Sequence, residues 1–388
     1  MKPLWNANFT HIWISNLLLS LAFNMLMPTI PIYLTETLGT ATSLVGVVMA
    51  SYSLAVLLVR PFSGFLVDTV NRKTLYLVAF IAFSLSFVGY MYASTVALMV
   101  LVRMLQGSTW GLVSVAGNTL AIDVTPSERR GEGVGVYGLT LNLGMAIGPL
   151  IGSLVFDAWG YEVLVIASTG VSLAGLLFSS HLQIPRRETK GSSTPLSLDR
   201  FILISALPVG LIFLLFAMSY GALVSYAIIY GNEQGIAHPS LFFLGFAVGI
   251  GVTRIFAGKW VDRGYIHPQV MLSMLLIVAG LLIYASSPND YSFVIAALLL
   301  GSGYGMLAPA IQYIFVSMTS AERRGTATST YLISFDVGIS LGMTLGGYIA
   351  GVATIATYYY LGALISLIAG AIYWIWVRPY YNHQMIQR

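Results

Sequence analysis

The chain has no cysteine. That excludes disulfides, thiolate metal sites and cysteine nucleophiles. Its histidines, His11, His181, His238, His267 and His383, are scattered without ligand-like spacing, so no metal site is expected. Charge is also scarce: Asp, Glu, Lys and Arg make up 8% of the chain, while hydrophobic residues make up 57%. A soluble domain carries roughly a quarter charged residues. A water-facing surface cannot be built from so few polar groups, and the composition reads as an integral membrane protein. The net charge is +4, but the basic residues come in pairs between apolar runs. With no basic stripe, a nucleic-acid partner is excluded. There is no phosphate loop, because Gly258 and Lys259 are followed by Trp260 where a Ser or Thr is needed. No nucleotide and no other cofactor is expected.

The first apolar run is not followed by a small-residue cleavage site, so it is read as a retained membrane helix. Twelve runs are long enough to span a bilayer, which takes about 20 apolar residues. The first six lie near 11–35, 42–67, 74–93, 95–121, 132–156 and 161–182. The second six lie near 201–230, 240–261, 269–286, 291–318, 325–352 and 355–377. Residues 186–200, rich in Ser, Thr, Gly and Pro, read as a linker. The expected domains are therefore 1–185 and 201–388, each a six-helix bundle.

Of the 18 Lys and Arg residues, 15 fall at the termini, in the even-numbered loops or in the linker, and the odd-numbered loops hold none. By the positive-inside rule both termini and the linker are expected to be cytoplasmic. Asn8, Phe9 and Thr10 form a glycosylation sequon, which is discounted because it falls on that cytoplasmic side. The remaining three, Arg60, Arg103 and Arg254, lie inside spans.

A shift of 194 residues brings the chain onto itself. Arg60, Phe62, Gly64, Val67 and Asp68 fall on Arg254, Phe256, Gly258, Val261 and Asp262. The run from Glu128 to Gly131 falls on Glu322 to Gly325. Gly107 and Gly111 fall on Gly301 and Gly305, and Gly144, Gly148 and Gly152 fall on Gly338, Gly342 and Gly346. One ungapped offset joining separate segments implies two parallel repeats, with a substrate site expected near the membrane midplane. The expected fold is all-α: twelve transmembrane helices in two pseudo-symmetric six-helix bundles.

These segments resemble the major facilitator superfamily over the whole chain. Gly64, Asp68, Asn71, Arg72 and Lys73 are similar to the family's loop 2–3 signature, Gly-x-x-x-Asp-Arg-x-Gly-Arg-Lys. Arg103, Gln106 and Gly107 resemble its fourth-span signature, and Gly144, Gly148, Pro149 and Gly152 the fifth-span signature of drug and metabolite antiporters. The resemblance departs at Thr69, where the family has arginine, and at Asn71, where it has glycine. Asparagine tolerates a left-handed backbone, so that turn is expected to survive. The resemblance implies a proton-coupled secondary transporter, with a small, amphipathic molecule, protons and the lipid bilayer as partners, working as a monomer in a bacterial cell membrane.

Arg60, Gly64 and Asp68 lie four apart along one helical face. The resemblance implies that this corner, with Arg72, Arg254 and Asp262, latches one state. Asp68 would sit at a helix terminus of the other half, and Arg60 would pair with Glu128 or Glu322. Arg103 is a charge within the bilayer and hence a functional candidate; the resemblance gives it a part in proton coupling. Asp336 is expected about 20 Å deep in the eleventh span, at ~1.5 Å per residue. Its repeat mate is Asn142, and a carboxylate where an amide would pack equally well points to a proton carrier or to a counter-ion for a cationic substrate. Glu36 closes the first span on the outer side and is a further proton-coupling candidate. Asn24, Gln106, Trp110, Asn142, Tyr226 and Gln312 are candidates for the substrate cavity. Gly144, Gly148, Pro149 and Gly152 are expected to pack helices closely and permit bending.

The expected activity is export by alternating access. Uptake by proton symport and lipid or glycolipid flipping use the same fold and remain open. An enzyme is not expected, since no His or Cys lies at membrane depth beside Arg103 and Asp336. A non-transporting sensor would need a signalling domain that the chain lacks.

Overall fold

The computed structural model describes residues 3–184, 198–286 and 289–386. Among these, every regular element is helical. In order they are α1 (Ala7–Leu26, continued by short turns to Thr37), α2 (Thr42–Thr69), α3 (Arg72–Tyr92) and α4 (Val96–Val124). One helical run from Arg130 to Ser180 follows, then α7 (Leu207–Glu233), α8 (Leu241–Asp262) and α9 (Ile266–Ala285). The last are α10 (Asp290–Ser317), α11 (Arg324–Val352) and α12 (Ile355–Ile386).

Eleven of these runs are long and apolar enough to cross a membrane. The run from Arg130 contains 51 residues, about 75 Å of helix at ~1.5 Å per residue, against a hydrocarbon core of about 30 Å. Gly160 divides it. Its φ of 80° and ψ of −178° belong to a region that only glycine enters without steric cost. Two spans result, α5 over 130–159 and α6 over 161–180, so twelve helices cross.

Local sequence sets the helix starts. Asn6, Asn71, Thr95, Asn289 and Thr354 each accept a hydrogen bond from the backbone N–H three residues on, satisfying an orphan donor of the first turn. α7 begins at Leu207 rather than near 201, with Pro208 in its first turn, where the missing N–H has no partner to lose. Asn71 differs from expectation. It is not left-handed; it adopts φ −61°, ψ 115° and caps α3 through Thr74 N–H. Capping supplies the turn that a left-handed residue would otherwise make.

The sides of the helices sort by polarity. On α4, Leu101 is 63% exposed while Arg103, two residues on, is 2% exposed. Leucine faces lipid and arginine faces protein. A surface carrying Leu58, Leu85, Leu101 and Leu154 at this level of exposure suits a hydrocarbon surround, not water.

The chain groups into two compact units. The first holds residues up to Pro126, Tyr137–Ile202 and Glu322–Ser329; the second holds Ser127–Val136, Leu203–Ala321 and the residues from Thr330 on. The first unit thus includes the opening turns of α11, and the second those of α5. Most of the linker expected over 186–200, up to residue 197, lies outside the described residues.

Inside each unit the same close contacts recur at the 194-residue offset. A Cβ on Gly107 would strike the Tyr52 carbonyl, and one on Gly301 the Phe246 carbonyl. A Cβ on Gly148 would lie 2.6 Å from Asn24 Cβ in α1, and one on Gly342 would strike Met218 in α7. Tyr52 and Phe246, and Asn24 and Met218, are themselves 194 residues apart. The repeat is therefore one of three-dimensional packing within each unit as well as of sequence. Small residues at these crossings let helix backbones touch.

Candidate functional site

The end of α2 and the start of α11 build a corner in the first unit. Asp68 Oδ1 accepts from Gly325 N–H at 2.7 Å, and Oδ2 from Thr326 N–H at 2.7 Å and Thr326 Oγ1 at 2.8 Å. A carboxylate here meets the orphan N–H groups and positive dipole end of α11. Gly64 makes the approach possible, since a Cβ there would lie 2.7 Å from Ser329 Cβ and 3.0 Å from the Gly325 carbonyl. Ser329 Oγ donates to the Arg60 carbonyl at 2.5 Å. Arg60 itself is buried.

Arg72 extends the corner into a charge network. Its guanidinium reaches Asp68 at 3.1 Å and Asp123 at 2.5 Å, and donates to the carbonyls of Val67 and Glu322. Arg324 binds the second oxygen of Asp123 at 2.6 Å. The order is Asp68, Arg72, Asp123, Arg324, alternating in sign, with Arg72 only 8% exposed. Opposite charges in sequence reduce the desolvation penalty that a lone buried ion would carry. The arginine missing at Thr69 is not needed for this chain of charges; Thr69 Oγ1 donates to the Phe65 carbonyl instead.

The second unit has the offset-related corner. Asp262 accepts from Gly131 N–H at 2.6 Å and Glu132 N–H at 2.9 Å, at the start of α5. A Cβ on Gly131 would lie 2.6 Å from the Gly258 carbonyl. The charges differ, however. Positions 266 and 317, the mates of Arg72 and Asp123, are Ile and Ser. Glu132 takes their place, pairing with Arg129 at 2.6 Å and lying 4.0 Å from Lys259. Glu128 accepts from Ser127 Oγ at 2.7 Å and is exposed, as is Glu322.

Arg103 sits among α1, α2 and α4 of the first unit. Its guanidinium carbon lies 4.6 Å over the Tyr52 ring, a cation–π arrangement. Its polar contacts are long: Gln106 Oε1 at 3.4 Å, the Met49 carbonyl at 3.5 Å and Met27 Sδ at 3.9 Å. Among the described residues no carboxylate lies within ion-pair distance of it. Gln106 Oε1 also accepts from Tyr90 Oη at 2.6 Å. Trp110, on the same face of α4, stacks on Phe23 at 5.4 Å and 17°, and Phe23 stacks on Tyr52 at 5.2 Å and 27°.

In the second unit the mate of Arg103 is Ala297. An aromatic cluster stands there instead. Tyr220 contacts Phe246, Tyr304 and Phe335, and Phe213 stacks between Tyr331 and Phe335. Asp336 follows Phe335 directly on α11 and is half-buried, and its backbone carbonyl accepts from Ser340 Oγ. Arg254 is half-buried and Gln312 buried. Tyr226 Oη donates to the Met343 carbonyl at 2.8 Å and its ring lies against Gly346 and Gly347. That side chain packs α7 on α11.

Several other candidates are more dispersed. Asn24 packs on Gly148 and donates to the Ser20 carbonyl at 2.8 Å. Asn142 is half-buried. Glu36 lies exposed on the turn that ends α1. Gly144, Gly148 and Gly152 form the α5 face against Ser20, Asn24 and Met25 of α1, with Pro149 among them. Asp123 and Thr326 are not among the candidates the sequence offers. An acid kept at the end of an otherwise apolar run, with arginines to spare nearby, was the available signal for Asp123.

Twelve membrane-crossing helices in two repeated sets, with charges held at helix corners and inside the bilayer, define a multi-pass membrane transporter. The chain belongs to the major facilitator superfamily, whose model matches residues 12–265 and 240–385. It is 22% identical to the staphylopine export protein of Staphylococcus aureus, over 85% of this chain and 86% of that one. It is also 22% identical to the staphyloferrin B transporter of the same species, over 95% and 92%. Among solved structures it superimposes on the human organic anion transporter MFSD10 with a TM-score of 0.81 at 17% identity, covering 96% of this chain and 100% of that one. For the outward conformation of FucP the TM-score is 0.78 at 15% identity, covering 97% and 98%. The family and these structural neighbours are transporters, not enzymes.

Proposed function

We propose that this chain is a proton-coupled antiporter that exports a small amphipathic molecule across the bacterial cell membrane. It works as a monomer with both termini cytoplasmic, and the bodies that move are 1–185 and 201–388. Two relatives with exporting or transporting names support the direction. The positive-inside distribution supports the orientation.

One observation carries the coupling. The corners and glycine crossings recur at the 194-residue offset, while the membrane-depth charges do not. Arg103 is matched by Ala297 and Asp336 by Asn142. The glycine crossings do not need that difference, since they recur in both units without it. Asp336 is assigned as the proton carrier. Among the described residues no carboxylate lies within ion-pair distance of Arg103, so it acts on an anionic group that arrives during the cycle. Asp68 and Asp262 are assigned to the latch, whose bonds to the starts of α11 and α5 break when the state changes.

The test is transport in proteoliposomes under an imposed pH gradient. Antiport moves substrate against the direction of protons; movement with the protons would establish the uptake symporter instead, and gradient-independent lipid movement the flippase. Asp336→Asn is expected to abolish gradient-driven accumulation and to retain substrate exchange. Normal accumulation in that variant would remove Asp336 from the proton path.

A further inference from the structure

Two buried donors in the first unit have no acceptor. Arg103 is 2% exposed and Gln106 is 1% exposed, yet Arg103 Nε and Gln106 Nε2 make no hydrogen bond. The orientation of Gln106 follows from its neighbours. Arginine only donates, so the amide oxygen must face Arg103 and Tyr90, and the amide nitrogen faces away. The hydrogen bonds of Arg103 to oxygen are 3.4 and 3.5 Å long, beyond the usual N–H···O range, and the third is to the weakly accepting Met27 Sδ at 3.9 Å. Buried donors without partners are uncommon in folded proteins and call for an explanation. A guanidinium at membrane depth with no counter-ion among the described residues makes the case stronger.

The surroundings indicate what fits. Residues 103, 106 and 110 share one face of α4, and Trp110 lies about 180° around the helix from lipid-facing Leu101 at ~100° per residue. Arg103, Tyr52, Phe23 and Trp110 form a continuous stack in space. All three rings are half-buried within their unit, so the column offers a partly open apolar planar edge beside the two donors. We propose that the Arg103–Gln106 corner binds a carboxylate, and that the transported molecule carries this carboxylate next to a planar, unsaturated group that lies on the Phe23, Tyr52 and Trp110 column. The proposal rests on the transport reading only in equating the bound molecule with the transported one. A guanidinium fork and a side-chain amide together present the donors that a two-oxygen acceptor requires.

The experiment is calorimetric titration of the purified chain in lipid nanodiscs with naphthoate, naphthamide, naphthylmethylammonium and cyclohexanecarboxylate. Naphthoate is expected to bind at least about tenfold more tightly than the isosteric naphthamide, as one charge-assisted contact predicts, and more tightly than the ammonium probe. Arg103→Lys keeps the charge but not the fork and is expected to reduce the acid-over-amide ratio. Trp110→Ala is expected to weaken naphthoate and to leave cyclohexanecarboxylate within about twofold. Equal binding of acid and amide by the unaltered chain, preference for the ammonium probe, or no binding of any probe overturns the proposal without reference to a variant. Acid-selective binding without proton-driven movement in proteoliposomes would remove the transport reading and leave the subsite. Proton-driven export confined to neutral or cationic compounds would do the reverse.

Discussion

Replacing Asp68 with asparagine tests the latch at its most heavily bonded point. Asp68 accepts three bonds from Gly325 and Thr326 at 2.7–2.8 Å and pairs with Arg72 at 3.1 Å. A hydrogen bond to a charged group contributes about 1.5–3 kcal/mol net. The start of a helix favours an anion by a further ~0.3–1 kcal/mol. Asparagine keeps one acceptor oxygen and turns an NH2 group toward donors, so at least one of the two N–H bonds and the charge are lost. With Asp68 10% exposed, a loss of about 3 kcal/mol is expected, roughly a hundredfold shift toward the released state.

The absence of cysteine makes the assay direct. Ser329 is fully buried against Gly64, so Ser329→Cys gives a single thiol that reacts only when the start of α11 leaves α2. When opening and closing are fast, the labelling rate follows the open population. Asp68→Asn in that background is expected to label about a hundred times faster than the Ser329→Cys chain alone. Asp199→Asn is the control. Its pair with Arg323 is 36% and 38% exposed, and such surface pairs contribute about 0.2–1 kcal/mol, so its rate should stay within about fivefold. If Asp68→Asn labels no faster than that control, the carboxylate does not hold α11 and the latch reasoning fails.

Three further outcomes are expected. Asp123→Asn leaves Arg72 and Arg324 without their shared acid, and removing one partner of a buried pair costs about 3–5 kcal/mol; thermal unfolding in detergent should fall well below that of Asp199→Asn. Gly342→Ala drives a Cβ into the Met218 backbone and should destabilise by about 1–3 kcal/mol, whereas Gly251→Ala, with nothing within 4 Å of its Cβ, should be neutral or stabilising by up to ~1 kcal/mol. Equal unfolding temperatures for those two alanine variants would refute the close-crossing argument. Asp262→Asn disturbs two N–H bonds where Asp68→Asn disturbs three hydrogen bonds and an ion pair, so a thiol reporter at the start of α5 should respond less than the one at Ser329.

What the sequence made legible follows from how each contact is made. The twelve spans, the repeat and the corners at Asp68 and Asp262 could be read because they rest on glycine spacing and on backbone N–H groups. At a glycine crossing, the partner is another backbone, so any residue type on that partner serves and the spacing alone carries the information. Gly148 on Asn24 and Gly342 on Met218 illustrate this: the partners share nothing chemically, yet the crossing is the same. Long side chains behave differently. Arg72 reaches Asp123, 51 residues away, and Arg324 reaches the same acid from 201 residues away, and no local pattern marks that meeting. Tyr226 is a cavity candidate by sequence, while its packing on α11 is set by the small residues Gly346 and Gly347 across from it, which no local pattern marks. Asn71 was read from the family's glycine, and its own side chain supplied a cap that made the left-handed turn unnecessary. A residue's role was therefore readable where the backbone acts for it, and not where the side chain chooses among distant partners. The coupling charges belong to the second kind, which is why Arg103 and Asp336 must be tested by what they bind and carry rather than by where they stand in the repeat.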